Sequence, residues 1–200
     1  MNLGGENKTE ANVEAIKASP YQPRYMFNLD DLESEIKKDG LLSDLVVRRK
    51  GDFYEIIDGE RRWRILKKLG WKNVPVRVVD ADDEKARLLV YKLNKIRENY
   101  SIEEEARYFK KLADEGMTPL EISKQLNVDF HWVLAHLNIF KFPDDIQKAM
   151  WARQISVSHI VALENVIDRN IKEAVLTAKE ILERKLTVPE TRKITQKREE

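Results

Sequence analysis

The sequence predicts two regions of different class, an α/β region followed by an all-α region. Three observations lead there. Short apolar runs that read as strands alternate with helical periodicity as far as Val79. Strand signals stop after Tyr100. Two capping boxes, Ser101 with Glu104 and Thr118 with Glu121, then open a succession of short helices.

Residues 1–18 are polar, carry Gly4-Gly5 and read as a mobile arm. Pro20-Tyr21-Gln22-Pro23-Arg24 is expected to be extended or turned, because proline disfavours helix at the residue before it. Asn28 is placed to cap a helix reaching about Lys38, with Leu29, Leu32 and Ile36 on one face and Gly40 at its end. Leu45 to Val47 and Tyr54 to Ile57 read as strands joined by a turn at Lys50-Gly51-Asp52. Asp58-Gly59 turns the second strand into a helix that ends at Gly70. Val74 to Val79 is a third strand, whose Pro75 predicts an edge position or a strand start. Asp80 or Asp82 caps a helix to about Leu93.

In the all-α region, the first helix runs from about Ile102 to Glu115 and closes at Gly116. Pro119 occupies the favoured first helical position of a short helix ending at Leu126. Asn127-Val128-Asp129 is a tight turn, and Phe130 to Phe140 a second helix, which is helix-turn-helix spacing. Further helices are predicted over Pro143–Ala152, Ser156 to about Val166, and Asn170–Arg184. After Val188 a short helical start gives way to a solvated end.

Lysine and arginine number 36 against 35 acidic residues, so the chain is nearly neutral despite a charged content of 36%. The absence of cysteine excludes disulfides, thiol catalysis and cysteine zinc sites. No apolar run approaches a membrane span and residues 1–14 lack a signal-peptide core, so the expected location is cytoplasmic. Against that neutral background, residues 61–77 hold seven basic residues and no acidic one. A strand, a glycine turn and a helix start present unsatisfied N–H groups, and Gly59-Glu60-Arg61-Arg62-Trp63-Arg64 adds guanidinium donors at the same place. That combination suits an anion site; the alternative is a solvated basic helix face that keeps the protein soluble. It matches neither a Walker loop nor a dinucleotide fingerprint.

The helix-turn-helix has the opposite character. Its second helix contains no arginine or lysine, and residues 101–140 carry four basic and seven acidic residues. A DNA-binding module usually shows a basic footprint. The side chains available for DNA are Thr118, Lys124, His131, Trp132, His136 and Asn138. His131 and His136 are about 140° apart on a helix, and the histidines form no metal set.

Gly59-Glu60-Arg61-Arg62-Trp63-Arg64 resembles the arginine-rich box of the ParB chromosome and plasmid partition family. Pro20 to Arg24, Gly40-Leu41-Leu42 with Leu45 to Arg48, Ser101 to Ala106, Met117 to Phe140 and Leu186 to Thr191 resemble its other landmarks in the same order. The resemblance covers about residues 19–194. It implies a ParB/sulfiredoxin-like nucleotide-binding domain over 19–98 and a helical helix-turn-helix domain over 99–194, between the arm and a tail at 195–200.

It further implies that the protein binds CTP, loads on a centromere-like DNA site, closes as a clamp that spreads on or bridges DNA, self-associates, and stimulates a ParA-type motor ATPase commonly engaged by the arm. The implied setting is the nucleoid or a plasmid. Gly59, Glu60, Arg61 and Arg62 are implied to cradle the triphosphate, with Gln22, Arg24, Gly40, Leu41 and Leu42 lining the rest of the nucleotide site. The family's glutamate–asparagine pair ahead of an arginine, which helps hold Mg²⁺, falls on Leu93, Asn94 and Arg97. Leucine cannot ligate Mg²⁺, so nucleotide binding is implied more strongly than hydrolysis.

The family also has a carboxy-terminal dimerisation domain. The residues after Arg198 are too few to supply one, so such a domain lies outside these 200 residues or self-association uses other surfaces. Two alternatives remain open. The acidic, aromatic helix-turn-helix suits an adaptor that binds a second DNA-bound protein. The amino-terminal fold also occurs in sulfiredoxin-like proteins, whose chemistry needs a cysteine absent here, and in a free-serine kinase, for which Glu60 is the one carboxylate inside the arginine box.

Overall fold

The computed structural model describes residues 7–22, 29–97 and 100–197, leaving out the side chains of residues 96 and 97. It divides into two compact units, Met1–Asn99 and Tyr100–Glu200.

The first unit is a mixed five-stranded sheet in the order β1-β5-β3-β4-β2. Its strands are β1 (Asn7–Asn12), β2 (Ile16–Lys17), β3 (Leu45–Lys50), β4 (Phe53–Asp58) and β5 (Asn73–Val78). Residues 7–17 therefore correct the expectation of an arm: β1 runs antiparallel along β5, and β2 pairs parallel with β4. The periodicity was hard to see because β1 is polar and exposed apart from Ala11.

Pro75 is also corrected, since β5 is an interior strand. Pairing with β3 begins only at Val76, so Pro75's missing donor leaves no gap on that side.

Strands β3 and β4 are buried on both faces, as strands covered on both sides must be. Leu45, Val47 and Ile56 meet Ile36 of α1 (Asp30–Asp39) and Ile65 and Leu66 of α2 (Glu60–Lys68). Val46 and Ile57 meet Ala86, Leu89 and Val90 of α3 (Asp83–Arg97) on the other face. Burying each such side chain contributes about 1.5–3 kcal/mol. The β3–β4 register slips between Val46 and Val47, which pair with Asp58 and Ile56. This bulge carries one extra residue on β4 and turns Asp58 to the face of Val46.

The anchor of α3 is electrostatic. Asp83 accepts from Arg48 Nη2 at 2.5 Å and Lys50 Nζ at 2.9 Å, and buried Arg48 also bonds Glu55. Hydrogen bonds from Lys50 and Arg48 hold the Asp83 carboxyl down at about 2.

The second unit contains α4 (Ile102–Asp114), α5 (Pro119–Leu126), α6 (Phe130–Asn138), α7 (Asp144–Trp151), α8 (Val157–Ala162), α9 (Glu164–Arg169), α10 (Ile171–Arg184) and α11 (Val188–Lys197). Both expected capping boxes form, and Asn127 makes the tight turn at φ 52°. The helix expected from Ser156 breaks at Leu163, where a tighter bond to Ile160 separates α8 from α9. The last helix outruns its expected length because Thr191 and Thr195 are buried. No helix among the described residues is long and apolar enough to cross a membrane.

Candidate functional site

Strand β4 ends at Asp58, and Gly59 turns the chain into α2 with φ 99°. Only glycine suits this position. The conformation is left-handed, and a Cβ would stand 2.8 Å from Leu45 Cδ2 and 2.9 Å from Arg62 Nη2. Gly59 brings no side-chain cap to the first turn of α2. Three other segments converge on this end of the sheet. The loop after α1, residues 40–44, leads into β3. Arg61 and Arg62 project from the first turn of α2, both half-buried. Helix α3 starts at Asp83, beside Arg48 and Lys50 at the far end of β3, and Leu93 near its other end packs against the cluster that holds Val46 and Ile57.

Arg62 is the most constrained of these. Its Nη1 donates to the Ser43 carbonyl at 2.7 Å, the Asp44 carbonyl at 3.1 Å and the Ser43 hydroxyl, while Nη2 donates to Asp58 Oδ2 at 3.0 Å. The side chains of this ion pair are only 12% and 9% exposed. The Glu60 carboxylate, expected in the cradle, is instead buried and taken by Arg64 at 2.6 and 3.0 Å. Glu60 and Arg64 are thus joined to each other along the helix.

Leu41 packs in the core beneath α1 and α2, whereas Leu42 is 85% exposed at the loop tip. Gly40 ends α1 at φ 74°. Gln22 is half-buried and follows Tyr21, whose ring lies 4.9 Å from the Arg87 guanidinium of α3. Asn94 turns its amide back to the Val90 carbonyl at 2.7 Å. Arg24 and the side chain of Arg97 lie outside the described residues. A Mg²⁺ ion does not fit this end of α3: Leu93 is packed in an apolar cluster, and the Asn94 amide nitrogen serves its own helix.

Residues not singled out in the sequence complete the site. Lys8, Arg77, Val46 and Asp58 sit in register across four strands. With Leu42, Ser43 and Asp44 they line a pocket of about 270 Å³, closed on one side by the Lys8–Asp44 ion pair at 3.2 Å. Their signal was weak because it depends on strand order and on the bulge.

In the second unit the expected DNA-contacting residues separate. Thr118, Lys124 and His131 are exposed. The Thr118 hydroxyl is engaged with Glu121, and His131 Nδ1 lies 2.7 Å from Glu164, whose hydrogen bond raises the histidine's pKa above its ordinary value. Trp132 is half-buried and donates to Glu105 at 3.3 Å. His136 and Asn138 correct the sequence reading. They are 0% and 1% exposed, so they face the interior and cannot reach a base edge. His136 Nδ1 donates to the Trp132 carbonyl at 2.8 Å, and Phe109 packs edge-on 5.4 Å from its ring.

A mixed α/β unit whose helix α2 opens at Gly59 with Arg61 and Arg62 in its first turn, followed by a helical unit with capping boxes on α4 and α5, is a two-module architecture. The ParB N-terminal domain model matches residues 2–94 and the ParB HTH domain model residues 98–200. The chain belongs to the ParB family. It is 35% identical over 192 residues to a probable chromosome-partitioning protein ParB of Chlamydia trachomatis serovar D, an alignment covering 90% of this chain and 67% of the relative. C-terminally truncated ParB from Caulobacter crescentus complexed to the centromeric parS site shares 28% identity at a TM-score of 0.61, over 94% of this chain and 99% of that one. The truncated Caulobacter protein complexed with CTP-gamma-S also matches at 28% identity, over 88% of this chain and 99% of that one. Its TM-score is 0.43, so no geometry is carried over from it. The chain spans about two thirds of the length of the Chlamydia relative.

Proposed function

We propose that this chain is the nucleotide- and DNA-binding portion of a partition protein, and that it binds CTP where α2 begins and DNA through its helical unit. The observation that carries the reading is the start of α2 at Gly59, which brings no side-chain cap, with Arg61 and Arg62 in its first turn. Backbone N–H groups, a helix dipole and guanidinium groups together suit a triphosphate. Membership of the ParB family selects CTP among triphosphates and implies stimulation of a motor ATPase and self-association. Calorimetric titration with CTP, ATP and GTP, each with and without Mg²⁺, tests the reading. Selective CTP binding supports it, and no binding to any of the three overturns it. Leu93 predicts that removing Mg²⁺ weakens binding little and that turnover is weak or absent.

For DNA, the α5–α6 pair is assigned base reading and Lys124 phosphate contact; the Caulobacter relative is complexed to the centromeric parS site. A second reading is favoured by one observation: α6 carries no lysine or arginine, and two of its polar side chains face the core. In that reading the helical unit grips another DNA-bound protein. Affinity for DNA that falls steeply with salt supports direct binding, and salt-insensitive protein binding without it supports the adaptor.

A further inference from the structure

We infer that Glu164 is a positioning residue that sets His131 for base reading, and that the contact His131 makes is to a major-groove acceptor, guanine O6 or N7. The inference deepens the proposed DNA reading and rests on it. A recognition helix meets base edges with its amino-terminal residues. His131 is the second residue of α6, and its side chain is exposed. The helix carries no lysine or arginine, so a cationic contact from it has to come from histidine. Its other histidine, His136, is fully buried.

Glu164 is the first residue of α9 and half-buried. Its Oε2 lies 2.7 Å from His131 Nδ1, while its Oε1 is buried with no hydrogen-bond partner among the described residues. An ionised carboxylate only accepts, so Nδ1 carries the proton and Nε2 is the nitrogen left for an outside partner. The charged groups acting on the ring are Glu164, through its hydrogen bond first, and Asp129 at the cap of α6. Both favour the imidazolium. An imidazolium donates from Nε2, which fits the guanine acceptors. A neutral ring with the proton on Nδ1 accepts there instead, which fits the amino groups of adenine or cytosine. Glu164 therefore fixes which nitrogen faces outward and holds it in the donating form. Because the histidine is raised above its ordinary range, that form persists at low pH and is lost as pH rises through the folded value.

The test selects DNA from a pool of randomised duplexes with the full chain and its His131→Gln and Glu164→Gln variants, at about pH 6 and about pH 8.5, either side of the ordinary histidine value. At the lower pH the parent should prefer guanine about tenfold at one position of the selected sequence, the scale of one charged hydrogen bond. The preference should fade at the higher pH. Both variants should lose it at either pH while keeping the rest of the sequence. Affinity of Glu164→Gln for an unselected duplex should hold or rise, because a negative charge has left the DNA-facing side. A merely structural loosening of α6 would weaken every duplex.

A guanine preference that survives Glu164→Gln overturns the positioning role. Adenine or cytosine at the position sensitive to His131→Gln, or a preference indifferent to pH, overturns the donor assignment. A selected sequence with no position sensitive to His131→Gln overturns the inference and leaves the DNA reading standing. If the parent selects nothing and binds no duplex, the DNA reading itself has failed. Nitrogen-15 shifts of the His131 ring in the parent chain give a check that needs no variant. The proton is expected on Nδ1 at the higher pH, and the opposite tautomer overturns the inference.

Discussion

Helix α2 begins at a left-handed glycine that offers its first turn no side-chain acceptor. Helix α6 begins at Asp129, whose carboxylate takes the Trp132 N–H at 3.0 Å. Each follows a tight turn, and each opens the helix to which the sequence assigns function. The first has no side chain at its cap; the second caps the Trp132 N–H from its own first residue. Helices α4 and α5 resemble α6, closed by capping boxes at Ser101 and Thr118. A self-capped start contributes about 1 kcal/mol of helix stability and leaves little for an anion. The glycine start forgoes that stability.

That contrast breaks most sharply at the arginines. Replacing Arg61 and Arg62 together by alanine removes two charge-assisted interactions of about 1.5–3 kcal/mol each, so calorimetry should show CTP affinity falling by at least a hundredfold. Thermal unfolding should stay cooperative. Binding that survives the double change would place the nucleotide elsewhere.

Gly59→Ala should come next, combining φ strain of about 1–3 kcal/mol with clashes against Leu45 and Arg62. Both denaturant stability and CTP affinity should drop. The matching change in the second unit, Asp129→Ala, should lower stability by about 1 kcal/mol and leave nucleotide binding untouched. A nucleotide effect of Asp129→Ala would erase the distinction between the two starts.

Lys124→Ala should reduce the salt dependence of DNA binding by about one unit of slope, which a titration at several salt concentrations would detect.

The smallest effect concerns pH. The Asp83 carboxyl is depressed to about 2 in the folded protein. Its ion pairs therefore stabilise the fold at every pH above the ordinary carboxylate range, and that contribution is lost as pH falls through the folded value. Asp83→Asn should flatten the acid limb of the stability curve, and an unchanged limb would show that α3 is anchored by apolar packing alone.

Most of the architecture was legible because local chemistry and tertiary structure agree. Ser101 and Glu104 make a capping box in sequence and in space, and so do Thr118 and Glu121. Gly59 reads as a turn because no other residue fits there. The misreadings share a cause. Residues 7–12 are polar, and nothing local announces that β5 needs a partner on that side. His136 and Asn138 were placed on a DNA-facing surface by residue type, whereas the tilt of α6 against α4 and α8 decides which side of it is wet. The Glu60 carboxylate reads as part of the phosphate site until its bonds to Arg64 are seen. Asp58 reads in sequence only as a turn residue, because its pairing with Val46 depends on a one-residue slip that only the paired strand reveals.

Strand β1 also bears on how the first unit folds. The β3–β4 hairpin closes through a two-residue turn at Gly51-Asp52, whereas the nearest register pair of β1 and β5, Asn12 with Asn73, is 61 positions apart. Loop-closure entropy makes such a pairing slow to form and places it after the hairpin. Strand β1 is thus the element that docks last, as a clasp on a sheet already assembled. Removing residues 7–12 should accordingly speed unfolding while leaving the folding rate nearly unchanged, the kinetic signature of an element outside the nucleus.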